Sequence, residues 1–191
     1  MADAPSLIFV SGGVRSGKSS FAEKTAVDIA ARSGGNLRYI ATGVPFDSEM
    51  NERIKRHQQD RENTKHHWKT VEQPVSIGEI APYIKEGDIL LLDCVTTLLN
   101  NELYSVANKW DQLFLDSVYE KIISGILTLK RQAGTLIVVS NEVMNEPISA
   151  NALVFSYKKL LGHIHQRIVR ESDQAYYVEA GIPIAWKKVL D

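Results

Sequence analysis

The chain has 191 residues, with 22 Lys and Arg against 23 Asp and Glu. This length favours one domain over residues 1–191, and the near-neutral charge gives no field that would attract nucleic acid or an anionic membrane surface, so we expect a small-molecule partner. With Cys94 as its only cysteine, no basic leader and no apolar run long enough to cross a bilayer, the sequence predicts a cytoplasmic protein without a membrane span.

A glycine-rich segment directly follows the first apolar run, which begins at Leu7 as a predicted strand. Residues 12–19 match the pattern G-x-x-x-x-G-K-[ST] completely, and a predicted helix follows over residues 20–32. In such a loop, backbone N–H groups and the helix N-terminus bind a polyphosphate, and the match argues against an ordinary glycine turn. Lys18 would reach the β and γ phosphates, and Ser19 would bind magnesium. The predicted phosphate-binding residues are Gly12, Gly13, Val14, Arg15, Ser16, Gly17, Lys18 and Ser19.

The remaining segments alternate between apolar runs and helical patterns. Helical spacing predicts helices over residues 47–59, around Pro82, and over 98–104, 113–131 and 151–171. Apolar, β-prone runs predict strands over residues 37–41, 88–93 and 135–140. Residues 68–72 are predicted to form a brief extended piece, and residues 174–179 and 182–187 a closing pair of strands. This alternation predicts an α/β fold, a doubly wound and mostly parallel sheet flanked by helices, with an antiparallel pair at its C-terminal edge.

Two acidic residues follow predicted buried strands. Asp93 ends the strand over residues 88–93, where phosphate-loop enzymes place the acid that holds magnesium. Its alternative role is a helix-capping or surface carboxylate. Glu142 follows the strand over residues 135–140, and a catalytic role and a helix-starting carboxylate are equally compatible with its position. The predicted magnesium ligands are Ser19 and Asp93.

His57 lies in a charged segment between Arg53 and Arg61. A histidine among charges is usually a solvated surface residue. Beside a triphosphate, however, neutral imidazole can attack phosphorus, carry a nucleotidyl group covalently and pass it on. The residues alone leave both roles open for His57, and no role is assigned to His66, His67, His163 and His165.

Residues 108–111 spell Asn-Lys-Trp-Asp, which fits the N-K-x-D pattern by which regulatory GTPases bind guanine. In those proteins the pattern follows a strand, whereas here it follows a polar stretch. We therefore interpret this match as a coincidence.

Six motifs occur in an order that resembles the bifunctional adenosylcobinamide kinase and adenosylcobinamide-phosphate guanylyltransferase family. They lie at residues 12–19, 39–43, 53–61, 68–72, 91–97 and 139–143, and they span most of the chain. The resemblance implies phosphoryl transfer from ATP or GTP to adenosylcobinamide. GMP transfer from GTP through a guanylylated histidine would follow, giving adenosylcobinamide-GDP and pyrophosphate. It also implies a RecA-like P-loop fold, a corrinoid substrate and a homo-oligomer such as a trimer.

By this resemblance His57 is the guanylylated histidine. Lys18, which the loop motif predicts to reach the β and γ phosphates, is the second predicted catalytic residue. Glu72 suits guanine, because a carboxylate can accept hydrogen bonds from both N1–H and the exocyclic amine. Besides residues 12–19, the implied GTP contacts are Ala41, Thr42, Gly43, Gln58, Gln59, Asp60, Arg61, Glu72 and Asp93.

The chain departs from the family pattern after Val143. Relatives usually continue with a glycine-rich segment ending in Val-Pro, whereas residues 144–149 here are Met-Asn-Glu-Pro-Ile-Ser. Two alternatives therefore stay open: a P-loop small-molecule kinase without guanylyl transfer, and a nucleotide-gated regulatory protein.

Overall fold

The computed structural model describes residues 6–44, 66–105, 110–143 and 151–188. Within this part of the chain, seven strands form one sheet in the order β3-β2-β4-β5-β1-β6-β7. Every neighbouring pair is parallel except β6 and β7, which are antiparallel. The predicted doubly wound sheet with an antiparallel C-terminal edge is confirmed. The strands are β1 (Ser6–Gly12), β2 (Leu37–Ala41), β3 (Trp68–Glu72), β4 (Ile89–Asp93), β5 (Thr135–Asn141), β6 (Gln174–Glu179) and β7 (Ile182–Lys187).

The helices largely follow the predicted pattern, with differences at their ends. α1 begins at Lys18, two residues earlier than expected, and α2 begins at Val95 instead of residue 98. The pattern around Pro82 forms a 3₁₀ helix, consistent with the missing N–H of proline. The helix predicted over residues 47–59 lies outside the described residues. The described helices are α1 (Lys18–Ser33), the 3₁₀ helix (Ile77–Tyr83), α2 (Val95–Tyr104), α3 (Gln112–Gln132) and α4 (Ala152–Glu171).

Helices cover both faces of the central strands, which explains the continuous apolar runs in those strands. Leu92 and Val138 belong to a core shared with the 3₁₀ helix, α2, α3 and α4. Leu91 and Ile137 belong to a second core on the opposite face, which is closed by α1. Among the described helices, none combines the length and the apolar character needed to cross a bilayer.

The parallel arrangement brings the carboxyl ends of six strands, β1 to β6, to one edge of the sheet. Gly12 lies opposite Asn141 on β5, and Asp93 lies opposite Ala41 on β2. Ligands of doubly wound sheets bind at this edge. The candidate site is therefore built from the residues that end these strands.

Candidate functional site

The phosphate loop leaves β1 at Gly12 and enters α1 at Lys18. Its backbone turns tightly, because the amide of Ser16 donates to the carbonyl oxygen of Gly13 at 3.2 Å, and Arg15 and Gly17 adopt left-handed conformations with φ of 59° and 91°. Such a turn directs successive N–H groups into one concave surface, which suits an anion. Residues 12–19 therefore form the compact loop that the sequence motif predicts.

Lys18 is buried in this loop, with 6% of its surface exposed. Its ammonium nitrogen donates to the carbonyl oxygen of Gly13 at 2.9 Å, so the side chain folds back across the loop. Ser19 follows in the first turn of α1, where unpaired N–H groups and the helix dipole favour negative charge. A cation and a hydroxyl thus stand beside the predicted phosphate position.

The turn of the C-terminal hairpin supports the phosphate loop. The amide of Gly181 donates to the carbonyl oxygen of Ser16 at 2.8 Å, and a Cβ atom on Gly17 would lie 3.0 Å from Cα of Gly181. The strands of this hairpin are joined further by stacking of Tyr177 on Trp186, with ring centroids 4.9 Å apart. Sequence reasoning missed this support, because nothing in residues 174–187 indicates which loop the turn meets.

Asp93 ends β4 at the same edge, two strands away from β1. The hydroxyl of Tyr39 donates to Oδ2 of Asp93 at 2.9 Å, and the Tyr39 ring packs edge-on against Trp68. The serine hydroxyl of the loop and this carboxylate are hard oxygen donors. Mg²⁺ prefers such donors and usually combines one or two carboxylates with substrate phosphates, so the residues present fit the predicted ion.

Thr42 joins the ends of β2 and β4 and is fully buried. Its hydroxyl donates to the carbonyl oxygen of Cys94 at 2.9 Å and accepts from the Cys94 amide at 2.8 Å. Its amide donates to the carbonyl of Asp93, and its carbonyl accepts from the side-chain amide of Asn101. Thr42 therefore has a structural role, and a nucleotide contact of Ala41 to Gly43 stays a prediction.

Glu72 is exposed at the end of β3, the edge strand. It lies opposite Ala41, which in turn lies opposite Asp93, so these predicted contacts share one level on three adjacent strands. At about 4.8 Å per strand, the main chains of Glu72 and Asp93 are roughly 10 Å apart, and Glu72 is roughly 19 Å from β1. A nucleotide that touched both the loop and Glu72 would lie along the sheet edge.

The structure does not locate some of the predicted site residues. His57, Gln58, Gln59, Asp60 and Arg61 lie outside the described residues, as do residues 144–149 beyond Val143. Of the N-K-x-D match, Asp111 caps α3 by accepting from the amide of Phe114 at 2.9 Å. This structural role agrees with interpreting the match as a coincidence.

A polar cluster at the end of β5 was not predicted. Ser140 Oγ lies 2.7 Å from Nε2 of His165 on α4, and the Asn141 amide donates to Oγ1 of Thr96 at 2.9 Å. Burial lowers the pKa of His165 to about 4, which keeps the imidazole neutral. Next along the chain, the amide of Glu142 donates to the carbonyl oxygen of Gly12 at 2.9 Å. The cluster thus ties α4, α2 and the phosphate loop to β5.

Comparisons with known proteins point to one family. The profile described as "Cobinamide kinase / cobinamide phosphate guanyltransferase" matches residues 8–186. The bifunctional adenosylcobalamin biosynthesis protein CobU of Escherichia coli (strain K12) is 31% identical, over 95% of this chain and 99% of that protein. The bifunctional adenosylcobalamin biosynthesis protein CobP of Pseudomonas aeruginosa is 33% identical, over 92% of this chain and 94% of that protein.

Among solved structures, the flagellar accessory protein FlaH of Methanocaldococcus jannaschii is 14% identical. The match has a TM-score of 0.49 and covers 97% of this chain and 79% of that one.

Proposed function

We propose a function from one premise, that this chain belongs to the cobinamide kinase / cobinamide phosphate guanyltransferase family. The relatives from this family that were compared above are named as proteins of adenosylcobalamin biosynthesis. In the proposed reaction, the chain phosphorylates the terminal hydroxyl of adenosylcobinamide with ATP or GTP. It then transfers GMP from GTP to that phosphate, giving adenosylcobinamide-GDP and pyrophosphate.

In the kinase step, the phosphate loop holds the β and γ phosphates of the donor. The Lys18 ammonium exchanges its contact with the Gly13 carbonyl for phosphate oxygens, where it offsets the charge that develops during transfer. Ser19 and Asp93 would hold Mg²⁺, which when bound supplies charge neutralisation at the phosphate oxygens. Tyr39 orients the Asp93 carboxylate for that task.

In the guanylyl transfer step, an imidazole nitrogen of His57 attacks the α phosphorus of GTP. A P–N bond forms, the bond to the β-phosphate oxygen breaks, and pyrophosphate leaves. An oxygen of adenosylcobinamide phosphate then attacks the same phosphorus and regenerates His57. Glu72 would accept hydrogen bonds from guanine, and Gln58 to Arg61 would contact the same nucleotide. The cytoplasmic location and the homo-oligomeric state, including a trimer, remain predictions.

The observation that carries this proposal is the joint position of Lys18 and Asp93 at one sheet edge, in a chain that the family profile matches over residues 8–186. The two alternatives differ from it in their products. A kinase alone would stop at adenosylcobinamide phosphate. A regulatory protein would bind nucleotide and yield no corrinoid product.

The test is to incubate purified protein with adenosylcobinamide, ATP, GTP and magnesium, and to separate the corrinoid products by mass. The proposal predicts adenosylcobinamide-GDP from the wild type and a loss of about 10²- to 10³-fold in rate for Lys18→Ala. The control is Lys24→Ala. Lys24 is an exposed lysine of the same helix and is paired with Asp28, so we expect this variant to keep the wild-type rate. Accumulation of adenosylcobinamide phosphate alone, or the absence of any product, would contradict the proposal.

A further inference from the structure

Glu142 stands directly beyond β5, next to the phosphate loop, and the proposed mechanism leaves it without a task. We propose that Glu142 is the general base of the kinase step, accepting the proton of the corrinoid hydroxyl as that oxygen attacks the γ phosphorus. This inference rests on the proposed function and deepens its first half. It also assigns Glu142 no part in guanylyl transfer.

The main chain fixes Glu142 beside the start of the loop. Its amide donates to the carbonyl oxygen of Gly12 at 2.9 Å, and the preceding residue, Asn141, pairs directly with Gly12. β5 lies between β1 and β4 in the sheet. The main chain of Glu142 therefore lies between the phosphate loop and the end of β4, beside the position proposed for the transferred phosphoryl group.

Hydrogen bonds on both sides hold the segment that leads into Glu142. Ser140 is bonded to His165 of α4, and Asn141 is bonded to Thr96 of α2. Both contacts are side-chain contacts at the carboxyl end of the same strand. A catalytic group gains from such a fixed approach, because little conformational freedom has to be lost when the substrate binds.

The other carboxylates at this edge of the described sheet are less well placed to accept that proton. Asp93 ends β4 and is the predicted metal ligand. Glu72 stands four strands from β1. Glu179 ends β6 on the other side of β1, in the hairpin whose turn packs against Ser16 and Gly17.

The two halves of the proposed reaction differ in their need for a base. In the kinase step a hydroxyl attacks the γ phosphorus: the O–P bond forms, the bond from the γ phosphorus to the bridging oxygen breaks, and ADP leaves with that electron pair. The hydroxyl proton moves to the Glu142 carboxylate and from there to solvent. In guanylyl transfer the acceptor is a phosphate oxygen that is already anionic, so no proton has to be removed.

This asymmetry allows a sharp test with Glu142→Gln and, as the matched control, Glu179→Gln. Kinase activity is measured with adenosylcobinamide and ATP as the only nucleotide. Guanylyl transfer is measured separately, with adenosylcobinamide phosphate and GTP supplied. We expect Glu142→Gln to lower kcat of the kinase step about 10²-fold or more, with KM for ATP little changed. We expect the same variant to keep the wild-type rate of guanylyl transfer. We expect Glu179→Gln to keep the wild-type rates of both the kinase step and guanylyl transfer.

A pH–rate profile separates a base from a group that only holds the loop. The profile of Glu142→Gln is to differ in shape from that of the wild type, whereas a group that only holds the loop would lower the rate equally at every pH. Wild-type kinase activity in Glu142→Gln, or an equal loss in both halves, would overturn the inference while the proposed function stands. A wild-type protein without kinase activity would instead remove the proposed function, and this inference with it.

Discussion

The hydroxyl of Tyr39 on β2 donates a hydrogen bond to Oδ2 of Asp93 on β4, at 2.9 Å. The two residues lie 54 positions apart in the chain and meet because β2 and β4 are neighbours in the sheet. The Tyr39 ring is itself fixed by its edge-on contact with Trp68. The carboxylate predicted to bind magnesium is therefore oriented by a buried aromatic residue.

Removing this hydroxyl is expected to weaken the use of magnesium. In Tyr39→Phe the packing of the ring stays, but Asp93 loses the hydroxyl that orients it. Loss of a hydrogen-bond partner of a metal ligand commonly lowers metal affinity or activity 10- to 100-fold. We predict that the magnesium concentration needed for half-maximal kinase rate rises about 10-fold. The measurement is a magnesium titration at saturating nucleotide. Tyr83→Phe, at an exposed tyrosine, is the control, and equal titration curves for all three proteins would contradict the orienting role of the Tyr39 hydroxyl.

Two adjacent glycines of the loop, Gly12 and Gly13, are expected to differ in how an alanine substitution changes the free energy of unfolding. A Cβ atom on Gly12 would overlap the carbonyl oxygen of Val178 and lie 2.6 Å from Oγ of Ser16, whereas a Cβ on Gly13 meets no atom within 4 Å. Because the Val178 carbonyl belongs to the backbone of β6, it cannot rotate away. We predict that Gly12→Ala lowers the free energy of unfolding by about 1 to 3 kcal/mol and that Gly13→Ala leaves it nearly unchanged.

Urea unfolding of both glycine variants and the wild type measures this difference directly. The midpoint is to fall for Gly12→Ala alone. If both variants unfold at the wild-type midpoint, β6 does not press on the loop as described.

His165 is expected to make stability depend on pH. Burial lowers its pKa to about 4, while the unfolded chain titrates near the ordinary value of about 6.5. Between these values the unfolded state binds more protons, so the contribution is fully present above about pH 6.5 and is lost as the pH falls towards 4. The expected loss from His165 is roughly 2 kcal/mol between pH 7 and pH 5.

The measurement is urea unfolding at both pH values for the wild type, His165→Gln and His163→Gln. Glutamine at position 165 keeps a polar partner for Ser140 but does not titrate, so this variant is to lose less stability on acidification than the wild type. His163 is exposed on the same helix, and its variant is to follow the wild type. Parallel pH dependence in all three proteins would show that His165 is not the group responsible.

Much of the fold could be predicted because local pattern and tertiary structure agree. Strand β2 has the predicted bounds because its apolar run ends at Ala41, and β3 coincides with the extended piece predicted over residues 68–72. The start of α2 could not be predicted in the same way. Its first turn contains Thr96 and Thr97, which are poor helix formers, and contacts from other elements hold it: the Asn141 amide bonds Thr96 Oγ1, and Tyr157 bonds the Thr96 carbonyl.

In the candidate site too, features set by local sequence could be predicted and features set by distant contacts could not. The phosphate loop could be predicted because its chemistry lies within eight consecutive residues. Tyr39, Gly181 and His165 act through partners more than 20 positions away, and no local signal marks such partners. For Thr42 a local motif is present but indicates a different role. The family motif implies a nucleotide contact, whereas the polar groups of Thr42 bond Asp93, Cys94 and Asn101.

The covalent use of His57 is the central claim, and labelling tests it most directly. The wild type, His57→Ala and the control His163→Ala are incubated with α-phosphate-labelled GTP and magnesium, then denatured and washed. We predict that the wild type and His163→Ala retain label that is lost in acid and stable in alkali, as a phosphoramidate is, and that His57→Ala retains none. A wild-type protein that binds GTP but never becomes labelled, or a His57→Ala protein labelled like the wild type, would contradict the account.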